Sequence, residues 1–169
     1  MLKVAIITNS LTGGGAERSM NILANELGTR DLDTILIAIN EGPDDAVELE
    51  IPVIKIGKIW RGSFRNTVKS YLRFKSALRD KCPDIVIANC DLPEFFVALT
   101  PGKFRIIVTE HVSRPWYSRK LLGVITRNVL NLRGAHWVAV SDYLKIWPWN
   151  FEPEKVLRNG VLLPPPMEI

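Results

Sequence analysis

Apolar positions in this chain fall into short unbroken runs separated by stretches of helical periodicity. Runs at residues 3–8, 34–39, 53–56, 84–88, 105–109, 137–140 and 155–157 predict seven strands. Most are continuous rather than alternating, the pattern of strands covered on both faces, as in a parallel sheet under helices. Between them, Ala16, Met20, Leu23, Ala24 and Leu27 share one helical stripe, with Gly28 as the expected terminator. Over 66–81, Val68, Tyr71, Leu72 and Leu78 predict a buried helical face, and Pro83 marks its end. Leu121, Leu122, Ile125, Val129 and Leu132 predict a third such face, closed by Gly134. A shorter helix is expected over 93–99, and Ser141 is placed to N-cap another.

Strands and helices in this alternating order predict a doubly wound α/β domain: a Rossmann-like, mostly parallel sheet with helices on both faces and right-handed crossovers. The 169 residues suit one domain, large enough to bury roughly two-thirds of its unfolded surface without disulfides or a structural metal. Pro164-Pro165-Pro166 stops regular structure. Residues 1–163 therefore read as the domain and 164–169 as the start of an interdomain linker, with a C-terminal domain expected beyond it.

Composition narrows the partners. A chain that is 47% hydrophobic and 24% charged is not a disordered one. The apolar run at 4–7 is too short for a signal peptide, and no run approaches the ~20 residues of a membrane helix. The expected location is the cytoplasm, with peripheral contact at the inner face of a membrane left open. Cys82 and Cys90 form no C-x-x-C pair and read as reduced thiols. A zinc site built from them with His111 and His136 needs four scattered residues to converge, so no metal is expected. A net charge of +4 and a pI of about 9.2 admit a nucleotide, a phosphate or a lipid headgroup, but no nucleic-acid motif accompanies them.

Open α/β sheets bind ligands beyond the carboxyl ends of their strands. Polar residues stand at nearly every exit: Asn9-Ser10, Asn40-Glu41, Asn89-Cys90-Asp91, Glu110-His111, Ser141-Asp142 and Asn159-Gly160. Between the first strand and first helix lies Gly13-Gly14-Gly15-Ala16-Glu17-Arg18. Three glycines there either cradle a phosphate at the helix N-terminus or merely turn the chain, and the placement favours the phosphate. A dinucleotide fingerprint fits poorly, because Arg18 stands where its last glycine belongs; a Walker A loop is excluded for want of G-K-[ST]. His111 is the best single catalytic candidate, beside Glu110 at a strand exit, whereas His136 opens an apolar strand and reads as structural. Arg114, Arg119, Lys120, Arg127 and Arg133 around the third stripe read first as a solvated helix face, alternatively as a basic-aromatic surface for a phosphorylated lipid or a membrane. Trp147 and Trp149 flank Pro148 in a cluster that suits packing against a second domain or a ligand.

Taken together, Gly13–Arg18, Glu110-His111, Val138-Ala139-Val140-Ser141 and Asn159-Gly160-Val161 resemble the N-terminal, acceptor-side domain of the retaining nucleotide-sugar glycosyltransferases of family 4, with their two-Rossmann GT-B fold. The resemblance covers nearly the whole chain. It implies that Gly14 and Gly15, with Gly13, Glu17 and Arg18, lie against the donor diphosphate and the acceptor. His111 would lie against the transferred sugar, Asn9, Asn89 and Asp91 in the acceptor pocket, and Asn159 at the crossover to the second domain; Glu110 and Ser141 complete the expected binding set. The implied donor is a nucleotide sugar such as a UDP- or GDP-sugar, with no cofactor and no obligatory metal, and the acceptor a glycan or lipid-linked sugar. The product would form by front-face displacement with retention, the protein supplying positioning and charge stabilisation. Most donor contacts belong to the C-terminal domain, so this chain alone is expected to be inactive. The alternative is a stand-alone Rossmann-like module that binds a sugar or nucleotide, or one subunit of a split transferase. A small dehydrogenase is disfavoured by the glycine pattern.

Overall fold

In the computed structural model, which describes residues 1–42, 49–59 and 62–158, the apolar runs become strands and the periodic stretches helices. The order is β1 (Leu2–Thr8), α1 (Gly15–Gly28), β2 (Leu32–Asn40), β3 (Val53–Lys58), α2 (Phe64–Lys81), β4 (Ile85–Asn89), α3 (Asp91–Leu99), β5 (Arg105–Glu110), α4 (Lys120–Leu132), β6 (His136–Ala139) and β7 (Lys155–Val156). The strands line up as β3-β2-β1-β4-β5-β6-β7, every pairing parallel. The chain winds outward from β1 to β3, returns through α2 to β4, and winds outward on the other side. Its direction reverses between β1 and β4, so their exits flank the switch point at which such sheets bind ligands. Asn159, Gly160 and the Pro164–Pro166 stretch expected to form the linker lie outside the described residues.

Both faces of the sheet are covered, which is why the strands read as continuous apolar runs. On one face Ile7, Ile37, Val86 and Val108 pack under Phe74 and Leu78 of α2, Phe96 and Val97 of α3, and Leu130 of α4. On the other, Val4, Ile6, Leu36 and Ile87 meet Met20 and Ala24 of α1. Each fully buried aliphatic side chain contributes about 1.5–3 kcal/mol.

Four local expectations are corrected. Gly28 does not terminate α1 in a left-handed turn: Thr29 caps the helix in right-handed geometry. Gly28 is glycine because a Cβ there would lie 2.3 Å from Ile51 Cγ2. Helix α2 begins at Phe64, N-capped by the Ser63 hydroxyl, which accepts from Asn66 N. Its buried face is Ser70, Phe74 and Leu78, leaving Val68 and Leu72 exposed. No helix starts at Ser141; its hydroxyl accepts from Tyr143 N in a turn.

The largest correction is in α4. Its leucine-rich stripe faces solvent, with Leu121 76%, Ile125 54% and Leu132 87% exposed. The buried positions are Gly123, Thr126, Arg127 and Leu130, an equally regular helical spacing. Gly123 lets the helix close onto Trp116, since a Cβ there would lie 2.3 Å from Trp116 Cγ. Trp147 and Trp149 likewise turn inward: Trp149 packs edge-on to Trp137 and stacks on Phe151, while the Trp147 ring faces Arg127.

Gly123→Ala therefore tests the rotation of α4. Alanine gains about 1 kcal/mol of helix propensity, but the overpacking against Trp116 costs about 1–3 kcal/mol or more. A net loss of stability is expected in chemical denaturation; a raised midpoint would show that Trp116 does not hold the helix in place.

Candidate functional site

Neighbouring strands β1, β4 and β5 deliver Asn9, Asn89 and His111 to one edge. Among the described residues, seven buried side-chain atoms have no hydrogen-bond partner in the chain: Asn21 Oδ1, Thr34 Oγ1 and Trp137 Nε1, and at the strand exits Asn9 Oδ1, Asn40 Oδ1, Asn89 Nδ2 and His111 Nε2. Each such atom costs about 1–3 kcal/mol. Four of them at the exits of β1, β2, β4 and β5 mark an edge shaped for groups from outside the chain. Asn89 is fully buried, and its Oδ1 lies 3.4 Å from the Thr109 hydroxyl, an orientation that leaves the amide donor open. Burial pushes the His111 pKa below its ordinary value, so the imidazole is neutral at pH 7.

Beside this edge, Gly14 is the N-cap of α1, and its N–H donates to Glu17 Oε2 at 3.1 Å. Glu17 also covers Gly13, whose missing Cβ would sit 3.2 Å from Glu17 Cδ, whereas nothing lies within 4 Å of a Cβ on Gly15. None of the three glycines has positive φ; they serve by leaving the backbone bare. Glu17 thus covers the N-cap N–H at the start of α1, while no side chain caps the N–H groups of the helix's first turn. Arg18 is exposed.

A cavity of about 260 Å³ opens next to the loop, lined by Leu11, Asn40, Glu41, Gly42, Lys55 and Gly57 at the β2 and β3 exits. Asn40 was legible from sequence as an exit residue but not as part of a cavity wall. Lys58 carries no such signal: it ends β3 buried, its ammonium 3.3 Å from the Ile59 carbonyl oxygen. Burial, and then the charge of Arg119, holds its pKa below the usual lysine value.

Two expected binding residues are engaged elsewhere. Glu110 is buried and accepts from Arg127 Nη1 at 2.5 Å. The same guanidinium makes a bidentate pair with Glu94, Nε to Oε2 at 2.8 Å and Nη2 to Oε1 at 2.7 Å, and donates to the Trp147 carbonyl at 2.7 Å. Its carbon lies 5.3 Å from the Trp137 ring centre. Burial opposes the Arg127 charge, but Glu94 and Glu110 more than offset it and hold its pKa above normal. Asp91 accepts from Trp116 N with both carboxylate oxygens at 3.1 Å, and Trp116 Nε1 donates to Glu94 at 2.9 Å. These bonds hold Trp116 in left-handed backbone geometry, φ 56°, a strain of about 1–2 kcal/mol for a side chain of this kind. Cys90, beside this cluster, has its thiol pKa raised by burial and then by Glu17, Glu94, Asp91 and Glu110. It is an un-ionised thiol and no nucleophile. Ser141 stands one strand further on, at the β6 exit. Asn159 lies outside the described residues. His136 is structural, its Nδ1 2.8 Å from Glu154 Oε2.

Among the described residues, no three His, Cys, Asp or Glu side chains cluster in a metal-holding arrangement. No described helix is long and apolar enough to cross a membrane.

A parallel, doubly wound sheet with a bare glycine turn at its switch point and a strand-end histidine defines a Rossmann-like ligand-binding domain. The profile of Glycosyltransferase Family 4 matches residues 13–161, and the chain belongs to that family. No curated protein sequence matches it. Among solved structures it is similar to sucrose-phosphate synthase from Thermosynechococcus elongatus, at 14% identity and a TM-score of 0.63, covering 83% of this chain and 43% of that one. A second structure of that synthase matches at 15% identity and a TM-score of 0.64, covering 94% of this chain and 89% of the other. The apo form of the lipopolysaccharide outer core galactosyltransferase WaaB matches at 19% identity and a TM-score of 0.54, with 83% of this chain and 40% of that chain covered. At these identities the likeness carries the fold, that of a Rossmann-like domain of a GT-B glycosyltransferase. The chain spans less than half the length of the first synthase and of the galactosyltransferase.

The Arg127 cluster yields two predictions. Arg127→Met leaves Glu94 and Glu110 buried and unpaired, so a loss of about 3–5 kcal/mol is expected. Adding Glu94→Gln and Glu110→Gln should restore most of it in urea denaturation; no recovery would mean that packing, not charge, sets the cost. The second concerns pH. Burial pushes Glu110 up to about 7 from 4.5, against the pull of Arg127. The folded chain holds a proton that the unfolded chain releases, so this contribution is full below about 4.5 and is lost as pH rises through about 7. The unfolding midpoint should fall between about pH 4.5 and about pH 7 and level off above, and Glu110→Gln should flatten that fall. An identical slope in the variant would assign the titration to another group.

Proposed function

We propose that this chain is the acceptor-side half of a retaining glycosyltransferase that moves a hexosyl group from a nucleotide sugar, such as a UDP- or GDP-sugar, to a glycan or lipid-linked acceptor. The observation that carries the reading is the row of unmatched polar atoms on Asn9, Asn89 and His111 at the switch point of a family 4 domain. Asn9 and Asn89 offer an acceptor and a donor on either side of that point, as binding a sugar hydroxyl requires. His111, neutral and with Nε2 open, takes a hydroxyl of the transferred sugar. Gly15 lets a ligand approach the backbone of α1, and Glu17 must swing off Gly14 when a diphosphate arrives.

In this reading the domain contributes orientation. It holds the acceptor hydroxyl against the anomeric carbon, whose new bond to that oxygen forms as its bond to the diphosphate breaks on the same face, the hydroxyl proton leaving with the diphosphate. Donor contacts and compensation of the diphosphate charge fall to a C-terminal domain, so the 169-residue chain alone has negligible activity.

In the enzyme that joins this domain to its donor domain, His111→Ala should lower kcat/KM by about 100-fold or more, while the unfolding free energy changes by less than about 0.5 kcal/mol. A parallel loss of activity and stability would make His111 structural. Turnover of a nucleotide sugar by the 169-residue chain itself would sink the half-domain reading.

A further inference from the structure

The row of unmatched atoms does not stop at the switch point. Strands β4, β1 and β2 are neighbours in the sheet. Beyond Asn89 and Asn9 the row continues to Asn40 at the β2 exit, whose Oδ1 has no partner although the residue is only 7% exposed. The transfer chemistry proposed above uses Asn9, Asn89 and His111 and leaves Asn40 idle. Asn40 lines the cavity of about 260 Å³ beside the glycine loop. A buried acceptor atom in a cavity wall calls for a donor from a ligand.

The cavity has a local cause. Lys55 pairs with Ala38 and Lys58 with Asn40, so β3 carries one residue more than β2 over the same stretch. Gly57 lies within that extra length in left-handed backbone geometry, φ 69°, a conformation that bulges commonly reserve for glycine. The two exits part there, yet each stays tied. Asn40 N donates to the Asn9 carbonyl at 2.6 Å, and Glu41 N donates to the Lys58 carbonyl at 2.8 Å. The first bond joins the cavity wall to the β1 exit, so the cavity is a preformed continuation of the ligand edge.

Size and lining select the occupant. Pockets for drug-sized molecules begin at about 300 Å³, so this smaller cavity holds one ring and not a nucleotide. Among the described residues, its wall carries one carboxylate, Glu41, and one ammonium, Lys55, and hence no net charge. Leu11 and Ala38 add apolar surface that suits the C–H face of a pyranose, and Asn40 Oδ1 suits one of its hydroxyls. Asn89 and Asn40 stand two strand spacings apart, about 10 Å and about twice the span of one pyranose ring. We infer that the cavity is a second acceptor subsite. It takes the sugar ring next to the one that receives the transferred group, so the acceptor is a glycan of at least two rings. This rests on the transferase reading and adds to it an acceptor length and the residue, Asn40, that senses it.

The test is heteronuclear NMR of the chain titrated with galactose and glucose, then with lactose, cellobiose and maltose. The single sugars should move the side-chain amide signals of Asn9 and Asn89. At least one disaccharide should also move the Asn40 side-chain amide and the backbone signals of Gly42 and Gly57, and bind about tenfold tighter than its parent sugar. Asn40→Ala should return that disaccharide to the affinity of the single sugar. Its unfolding midpoint should stay put, because the change removes an acceptor that has no partner in the chain. A disaccharide that moves Asn9 and Asn89 but leaves Asn40, Gly42 and Gly57 still would overturn the second subsite while the acceptor reading stands. Equal movement of the Asn40 signals by a single sugar would overturn it as well. No response to any of these sugars would sink the acceptor reading and the subsite with it.

Discussion

A single buried cation sets the geometry of this domain. Arg127 lies fully inside, and its guanidinium reaches Glu94 on α3, Glu110 at the end of β5 and the carbonyl of Trp147 in the segment after β6. An ion pair of this kind adds little net stability over a well-packed apolar core, because desolvation consumes most of the Coulombic gain. Its effect is on specificity: any rotation of α4 that removed Arg127 from its carboxylates would leave the buried Glu94 and Glu110 without their cation. The helix is therefore pinned with Arg127, Gly123 and Leu130 inward, although its leucines would bury more apolar surface. The exposed stripe is the consequence of that choice.

The same cluster fixes the ligand edge. Glu110 immediately precedes His111, so the salt bridge to Arg127 anchors the peptide that presents the imidazole. Asp91 opens α3 just after Asn89, and its grip on the Trp116 N–H ties the β4 exit to the loop leading into α4. Carboxylates that stand at strand exits, and so invite reading as ligand groups, are spent on holding the scaffold. The groups left unmatched at this edge are amides and an imidazole.

The sheet was legible in the sequence because burial on both faces forces continuous apolar runs, and every one of the seven runs became a strand within a few residues. Helix orientation was legible only where packing is apolar. In α1, Met20 and Ala24 face the sheet as the stripe suggests. In α4 the apolar stripe points the wrong way, since periodicity identifies an amphipathic helix but not which of its faces is buried when an arginine finds two carboxylates from distant positions. Glu94 is 33 residues from Arg127, and no local pattern reveals such a pairing. The polar exits at Asn9, Asn89 and His111 were readable from their place after strands. That Glu110 and Asp91 belong to the scaffold was not, because an exit carboxylate looks the same in sequence whichever way it turns.

The chemistry of the unmatched atoms bears on which half of a transfer reaction such an edge can serve. Asn9, Asn40, Asn89 and a neutral His111 present both donors and acceptors but no net charge. Hydroxyl-rich ligands need that mixture, and a site built to hydrogen-bond hydroxyls rejects molecules lacking them because its own polar atoms then stay unpaired. A diphosphate needs cations or free helix N–H groups. The N-terminus of α1 is partly taken by Glu17, and the buried cation nearest the scaffold is consumed by Glu94 and Glu110. The unmatched atoms of this edge therefore suit hydroxyl-rich ligands better than phosphates.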